Sequence, residues 1–198
     1  MRDRRFLLDG MLGKLARWLR LLGEEAIYER DMADDDLVAK ALKEKLILLT
    51  SDEELFRMAS SRGVEACLVE RRPIHEELRL LAGRYGICLE LDPSLSRCPR
   101  CGAPLRGASR EEVEGSVPPG SFMRYREYWI CSNKSCKKVY WRGSHWRNIH
   151  KTLRKCGGVR GAGIDEAEAQ PRGRGAPSQA RQEGHSGMAE EPRKDKPP

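Results

Sequence analysis

Cys98 and Cys101 stand two residues apart, Cys131 and Cys136 four, and a pair of such turns can close around one ion. Thiols this close on a tight turn present both sulfurs to the same point, so two turns complete a tetrahedral zinc site. Pro99 stiffens the first turn, and Gly102 stands where such a turn needs a positive φ. The competing readings are two disulfides or unrelated buried thiols. Met1-Arg-Asp-Arg-Arg5 leads into only a short apolar run before Gly10, which is no secretory signal. A cytoplasmic location is therefore expected, and in a reducing compartment the paired thiols are better explained by metal. Four thiolates leave no open position, so this zinc is structural.

The 198 residues have room for one ordinary domain and a small one. Mean hydropathy of −0.67 is low for a chain that packs throughout. The deficit is concentrated between Gly157 and Pro198, which contains no Leu, Phe, Tyr or Trp. Such a stretch cannot bury enough apolar surface to offset its ordering entropy, and 157–198 is predicted to be a disordered tail. No apolar stretch reaches the length of a membrane span. The net charge of +7 fits a nucleic-acid partner, but it fits many other soluble proteins too.

Residues 1–92 alternate between short apolar runs and helical patterns. Phe6–Leu8, Ala26–Tyr28, Leu46–Thr50 and Val64–Val69 read as strands. Between them, 11–22, 34–45 and 53–61 read as helices, and a last helix follows Pro73 to Tyr85. This order predicts an α/β fold, a parallel sheet with helices on both faces. Residues 93–156 change character. They read as a four-cysteine zinc ribbon with strands at 125–130 and 139–141, and with a mobile excursion over Arg106–Ser121. Cys67 and Cys88 fall on apolar stretches as core thiols, and Cys156 is a free thiol at the tail junction.

Two strands end in acid: Phe6-Leu7-Leu8 in Asp9, and Leu46–Leu49 in Thr50-Ser51-Asp52. Ligands of open parallel sheets bind beyond the carboxyl ends of the strands, where these side chains would meet. Asp34, opening the second helix, is a third candidate. Carboxylates crowded together repel, and a divalent cation relieves them; oxygen-only ligation suits magnesium or manganese. Each also has a plainer reading. Asp34 and Asp52 could simply cap their helices, whereas a charge directly after a buried strand, as at Asp9, needs a partner or a metal. Asp35 and Glu54 are supplementary candidates, and Asp31 and Asp36 plain surface charges.

Asp9, then Asp34 with Ala41 seven residues on, then Leu48-Leu49-Thr50-Ser51-Asp52 resemble the PIN-like nuclease pattern. More narrowly, Asp9-Gly-Met-Leu-Gly-Lys-Leu-Ala-Arg-Trp-Leu-Arg-Leu-Leu-Gly23 resembles the opening of the mut-seven C-terminal RNase domain family. Tyr140-Trp-Arg-Gly-Ser-His-Trp146, after the second cysteine pair, is similar to that family's close. The resemblance runs from about Phe6 to Leu153. It implies a PIN-like α/β fold with an appended zinc ribbon and a metal-dependent ribonuclease, an endonuclease or a 3′-exonuclease. Its catalytic carboxylates would be Asp9, Asp34 and Asp52 around magnesium or manganese. Its structural zinc would sit on Cys98, Cys101, Cys131 and Cys136.

Lys14, Arg17 and Arg20 follow one another at three-residue spacing on the first helix. Lys14 and Arg17 are either a solvated basic face or phosphate-backbone ligands, and Arg20 is expected at the surface. In the ribbon, Tyr125, Tyr128, Trp129, Tyr140, Trp141 and Trp146 are interleaved with arginines and lysines, the combination that binds single-stranded RNA by stacking. A ribbon this small also needs rings for packing, and Trp141 is assigned there. His145 is read as a packing or RNA residue rather than a zinc ligand, and His75 and His150 as surface residues. The alternative function is a non-catalytic RNA-binding protein with a degenerate PIN-like domain, acting in RNA or ribosome maturation.

Overall fold

The computed structural model describes residues 4–157; the tail expected over 157–198 lies outside the described residues except for Gly157. Along the chain run β1 (Arg5–Leu8), α1 (Gly13–Leu21), β2 (Glu25–Tyr28), α2 (Asp34–Glu44), β3 (Ile47–Thr50), α3 (Glu53–Ser61), β4 (Ala66–Leu68) and α4 (Ile74–Tyr85). The four strands form one parallel sheet in the order β2-β1-β3-β4. Period-two alternation sends Phe6 and Leu8 of β1, with Ile47 and Leu49 of β3, to one face under α1 and α4. Leu7 and Leu48 point to the other face, under α2 and α3. Both faces are covered, which is why β1 and β3 read as unbroken apolar runs.

The strand order places a reversal between β1 and β3. From β1 the chain moves to β2 on one side, then crosses to β3 on the other. Connections leaving in opposite directions open a crevice at the carboxyl ends of these two strands. Asp9 and Thr50 are the residues that end there. Gly10 is required by the same turn, because a Cβ there would come within 2.4 Å of the Arg30 carbonyl oxygen.

The second sheet contains β5 (Leu105–Ala108), β6 (Tyr128–Cys131) and β7 (Val139–Trp141), antiparallel in that order. The expected mobile excursion over Arg106–Ser121 is corrected here. β5 pairs along β6, and α5 (Arg110–Val113) and α6 (Pro119–Arg124) fold back over the sheet. Val113 and Val117 are buried against Tyr128 and Val139 and supply the ribbon's small core. Arg110 ties the excursion down by donating to the Phe122 and Tyr125 carbonyls, 2.9 Å each.

A last helix, α7 (Ser144–Lys155), had no counterpart in the sequence reading. Ile149, Leu153 and Cys156 recur at helical spacing and join the core that contains α1 and α4. Cys156 is thus a buried free thiol, as Cys67 is; Cys88 is half-buried. Arg20 is the second correction: it is 6% exposed rather than at the surface. Its Nε donates to the Ala26 carbonyl at 2.8 Å, and its Nη1 lies 3.3 Å from the carbonyls of Pro99 and Arg100. One side chain therefore binds β2 to the first cysteine turn. Ser96 Oγ donates to the Leu21 carbonyl at 2.6 Å, and Arg97 Nη2 reaches Glu25 at 3.1 Å, so the ribbon is anchored at the end of α1 and the start of β2.

Candidate functional site

Asp9 follows β1 directly and is 5% exposed. Its Oδ1 accepts from the Met11 amide at 2.9 Å, and its Oδ2 accepts from the Thr50 hydroxyl. The Thr50 oxygen in turn accepts from the Asp52 amide at 2.9 Å. Thr50 is fully buried, and its one donor and one acceptor link the turn after β1 to the turn after β3. Asp52 caps α3 by accepting from the amides of Glu54 (2.7 Å) and Leu55 (3.1 Å) through Oδ1, which leaves Oδ2 for another ligand.

Asp34 does not cap its helix: Ala33 is the N-cap, and Asp34 is the first residue of α2 with no capping bond. Capping therefore does not account for an aspartate at this position. Its carboxyl is held above the usual range, first by burial and then by the negative charges of Asp52, Asp9, Asp35 and Glu54. Acids from the ends of β1 and β3 and the start of α2 therefore share one field. Among the described residues, however, the set of metal-ligand side chains gathered within 4.8 Å of one another is the four cysteines, not the aspartates. Hydrogen bonds through Thr50 join the Asp9 carboxylate to the Asp52 amide, and the cap on α3 orients the Asp52 carboxylate. Asp35 belongs to another contact, paired with Arg62 Nη1 at 2.7 Å.

Both candidate cations on α1 are exposed. Burial raises the Glu77 carboxyl near the start of α4, and Lys14 lies close enough to offset part of that rise, while Arg17 lies near Arg20, toward the cysteine turn. Sequence reasoning missed Arg71. Its Nη2 lies 3.9 Å from Met11 Sδ, and Ser51 Oγ lies 3.8 Å from the same sulfur. An exposed guanidinium thus stands at the mouth of the turn that carries Asp9. Only its place in the loop after a strand could have pointed to it, because Arg71 and Arg72 look alike in the sequence. Arg72 is instead engaged by Glu70 and Glu76.

The thiols meet the demands of zinc. Cys98 and Cys136 sulfurs are 3.8 Å apart, and those of Cys101 and Cys131 are 3.4 Å apart. A tetrahedron with Zn–S of about 2.3 Å has edges of about 3.8 Å. Gly102 has φ +81°, as the turn requires. Burial opposes ionisation of Cys98, but hydrogen bonds from the Tyr140 hydroxyl and from nearby backbone outweigh it and bring this thiol to about 7. Burial raises Cys131 and Cys136. His145 is exposed on α7 and lies outside the thiol cluster.

A family model described as the Mut7-C RNAse domain matches residues 4–153. The chain belongs to this family. Membership gives it a nuclease-like, RNA-related character, and the matched span takes in both the carboxylate crevice and the cysteine cluster. No curated protein and no solved structure matches the chain. Among the described residues, no helix is long and apolar enough to cross a membrane.

Proposed function

We propose that this Mut7-C domain is a metal-dependent ribonuclease that hydrolyses RNA phosphodiester bonds at Asp9, Asp34 and Asp52, with the ribbon aiding RNA binding. The observation that carries the reading is the meeting of these acids at the β1/β3 reversal, where burial first and then the charges of Asp52 and Asp9 raise the Asp34 carboxyl. Four like charges in one crevice are a poor arrangement without a cation and a suitable one with it. Asp9, Asp34 and Asp52 would hold magnesium or manganese, with Glu54 beside them. When bound, that ion supplies positive charge to the phosphoryl oxygens and eases the deprotonation of water.

The chain's own groups account for the rest. Thr50 and the Met11 amide fix the Asp9 carboxylate in one orientation. Burial and the charges of Asp52 and Asp9 disfavour the ionised Asp34 carboxyl, and a cation held by the three acids would offset those charges. Arg71 and Lys14 would hold flanking phosphates at the crevice mouth, with Arg17 further along α1. Zinc on Cys98, Cys101, Cys131 and Cys136 would keep the ribbon folded, which requires a reducing compartment such as the cytoplasm.

A non-catalytic RNA-binding role is favoured by one observation, the wider spacing of the carboxylates compared with the thiols. The two separate in one experiment: a labelled RNA pool incubated with manganese, with and without Asp9→Asn plus Asp52→Asn. Manganese-dependent cleavage that the double variant loses, while still binding RNA, supports hydrolysis. Cleavage that persists in the double variant refutes the assigned residues, and no cleavage by the parent supports the binding role.

A further inference from the structure

β6 puts its aromatics on opposite faces. Tyr128 is buried in the ribbon core, so Trp129 points away from it. Trp129 belongs to none of the hydrophobic clusters among the described residues, and neither does Trp146 of α7. The two indoles are parallel to within 8°, with centroids 6.5 Å apart. His150, one turn beyond Trp146, extends the surface with its ring 5.2 Å from that indole. Arg142 stands beside both indoles, 5.8 Å from the Trp129 centroid and 5.3 Å from that of Trp146. Glu127 engages its Nε at 3.2 Å.

On the strand that flanks Trp129, its cross-strand partner is Gly107, and a Cβ built there meets nothing within 4 Å. The sheet face is therefore open beside the indole. Arg154 acts on His150 electrostatically, and Arg147 and Lys151 are further exposed cations of α7. Large rings left outside every core, a neighbouring guanidinium, open space and surrounding positive charge suit a planar, anionic polymer. Ile149 and Leu153 on the same helix join the core, whereas Trp146 is half-buried against Trp129 and His150 alone among the described rings.

We infer that Trp129, Trp146 and His150, with Arg142, form a stacking site for unpaired nucleobases of single-stranded RNA, with the α7 cations on the adjoining phosphates. The inference deepens the RNA-binding part of the proposed function. The site lies on the ribbon, which is anchored at the end of α1 and the start of β2, whereas the carboxylates lie at the opposite ends of the strands. RNA held here would reach the crevice as an extended strand.

The test is fluorescence anisotropy of the full chain, zinc-loaded and free of other divalent ions, with fluorescein-labelled oligoadenylate and with the matching abasic ribose-phosphate oligomer. Trp129→Ala and Trp146→Ala should each weaken oligoadenylate binding about tenfold, as the loss of one stacked base does, and change abasic binding little. Gly107→Glu keeps the tryptophans and should weaken both probes, because it sends a carboxylate into the open face. Zinc content equal to the parent's verifies that each variant is folded. Equal oligoadenylate affinity in the parent, the tryptophan variants and Gly107→Glu overturns the site, as does failure of the parent to prefer oligoadenylate over the abasic probe. Manganese-dependent cleavage, scored separately on the same samples, tells failure of the stacking site from failure of the nuclease reading.

Discussion

Replacing Arg20 with Met keeps most of the stem volume and removes the guanidinium that bridges β2 and the first cysteine turn. Three carbonyls lose a charged donor: Ala26 at 2.8 Å, and Pro99 and Arg100 at 3.3 Å each. A hydrogen bond to a charged group contributes about 1.5–3 kcal/mol, and the two longer contacts count for less, so the loss should be roughly 2–4 kcal/mol. A second effect falls on the metal site. One dication and four thiolates carry roughly two negative charges, and Arg20 lies close enough to Cys98 and Cys101 for their charges to raise its pKa against the lowering by burial. Arg20→Met should therefore release zinc faster to a colorimetric chelator as well as lower the urea midpoint. Arg20→Lys should recover the charge but not the three-carbonyl geometry, and should fall between the two. A stability loss below roughly 0.5 kcal/mol, with unchanged zinc release, would show that the bridge carries no weight.

Other expectations are as direct. Asp34→Asn should raise the melting temperature in the absence of divalent ions, because the folded-state pKa is raised and the ionised form is disfavoured above it; the same change should abolish cleavage. A lowered melting temperature would contradict the repulsion described here. Arg71→Ala should raise KM for RNA several-fold and leave kcat nearly unchanged, since Arg71 pairs with no carboxylate among the described residues; a loss confined to kcat would move it into the chemistry. His150 is held below its ordinary 6.5, first by burial and then by Arg154 and Arg142. Its contribution is complete above that value and is lost as pH falls through the lower folded pKa. His150→Gln should accordingly flatten the decline in stability below pH 6.5, and an unaltered decline would refute it.

The α/β half was legible because burial on both faces writes itself into composition. Leu46–Leu49 cannot be amphipathic when β3 lies inside the sheet, and Asp52 marks the start of α3 by capping it. The ribbon's additions were hidden for different reasons. β5 is Leu-Arg-Gly-Ala, a sequence with little strand preference, and it is held by pairing with β6. α7 carries Ile149 and Leu153, with Cys156 as its C-cap, inside a run of cations, so periodicity is present but outnumbered. Arg20 was misplaced by spacing. Each three-residue step falls about 60° short of a turn, so it lies roughly 120° round the helix from Lys14, over the buried side. The acids at 9 and 52 could be placed from the strand ends alone, whereas Thr50 as the link between them needed coordinates.

Manganese titration, followed by the electron paramagnetic resonance signal of the free ion, tests the shared-carboxylate account most directly. The zinc-loaded chain should take up manganese, and Asp9→Asn, Asp34→Asn and Asp52→Asn should each weaken that uptake at least tenfold, as the loss of one of three charged ligands requires. Undiminished uptake in all three variants would mean that these side chains do not serve a common ion.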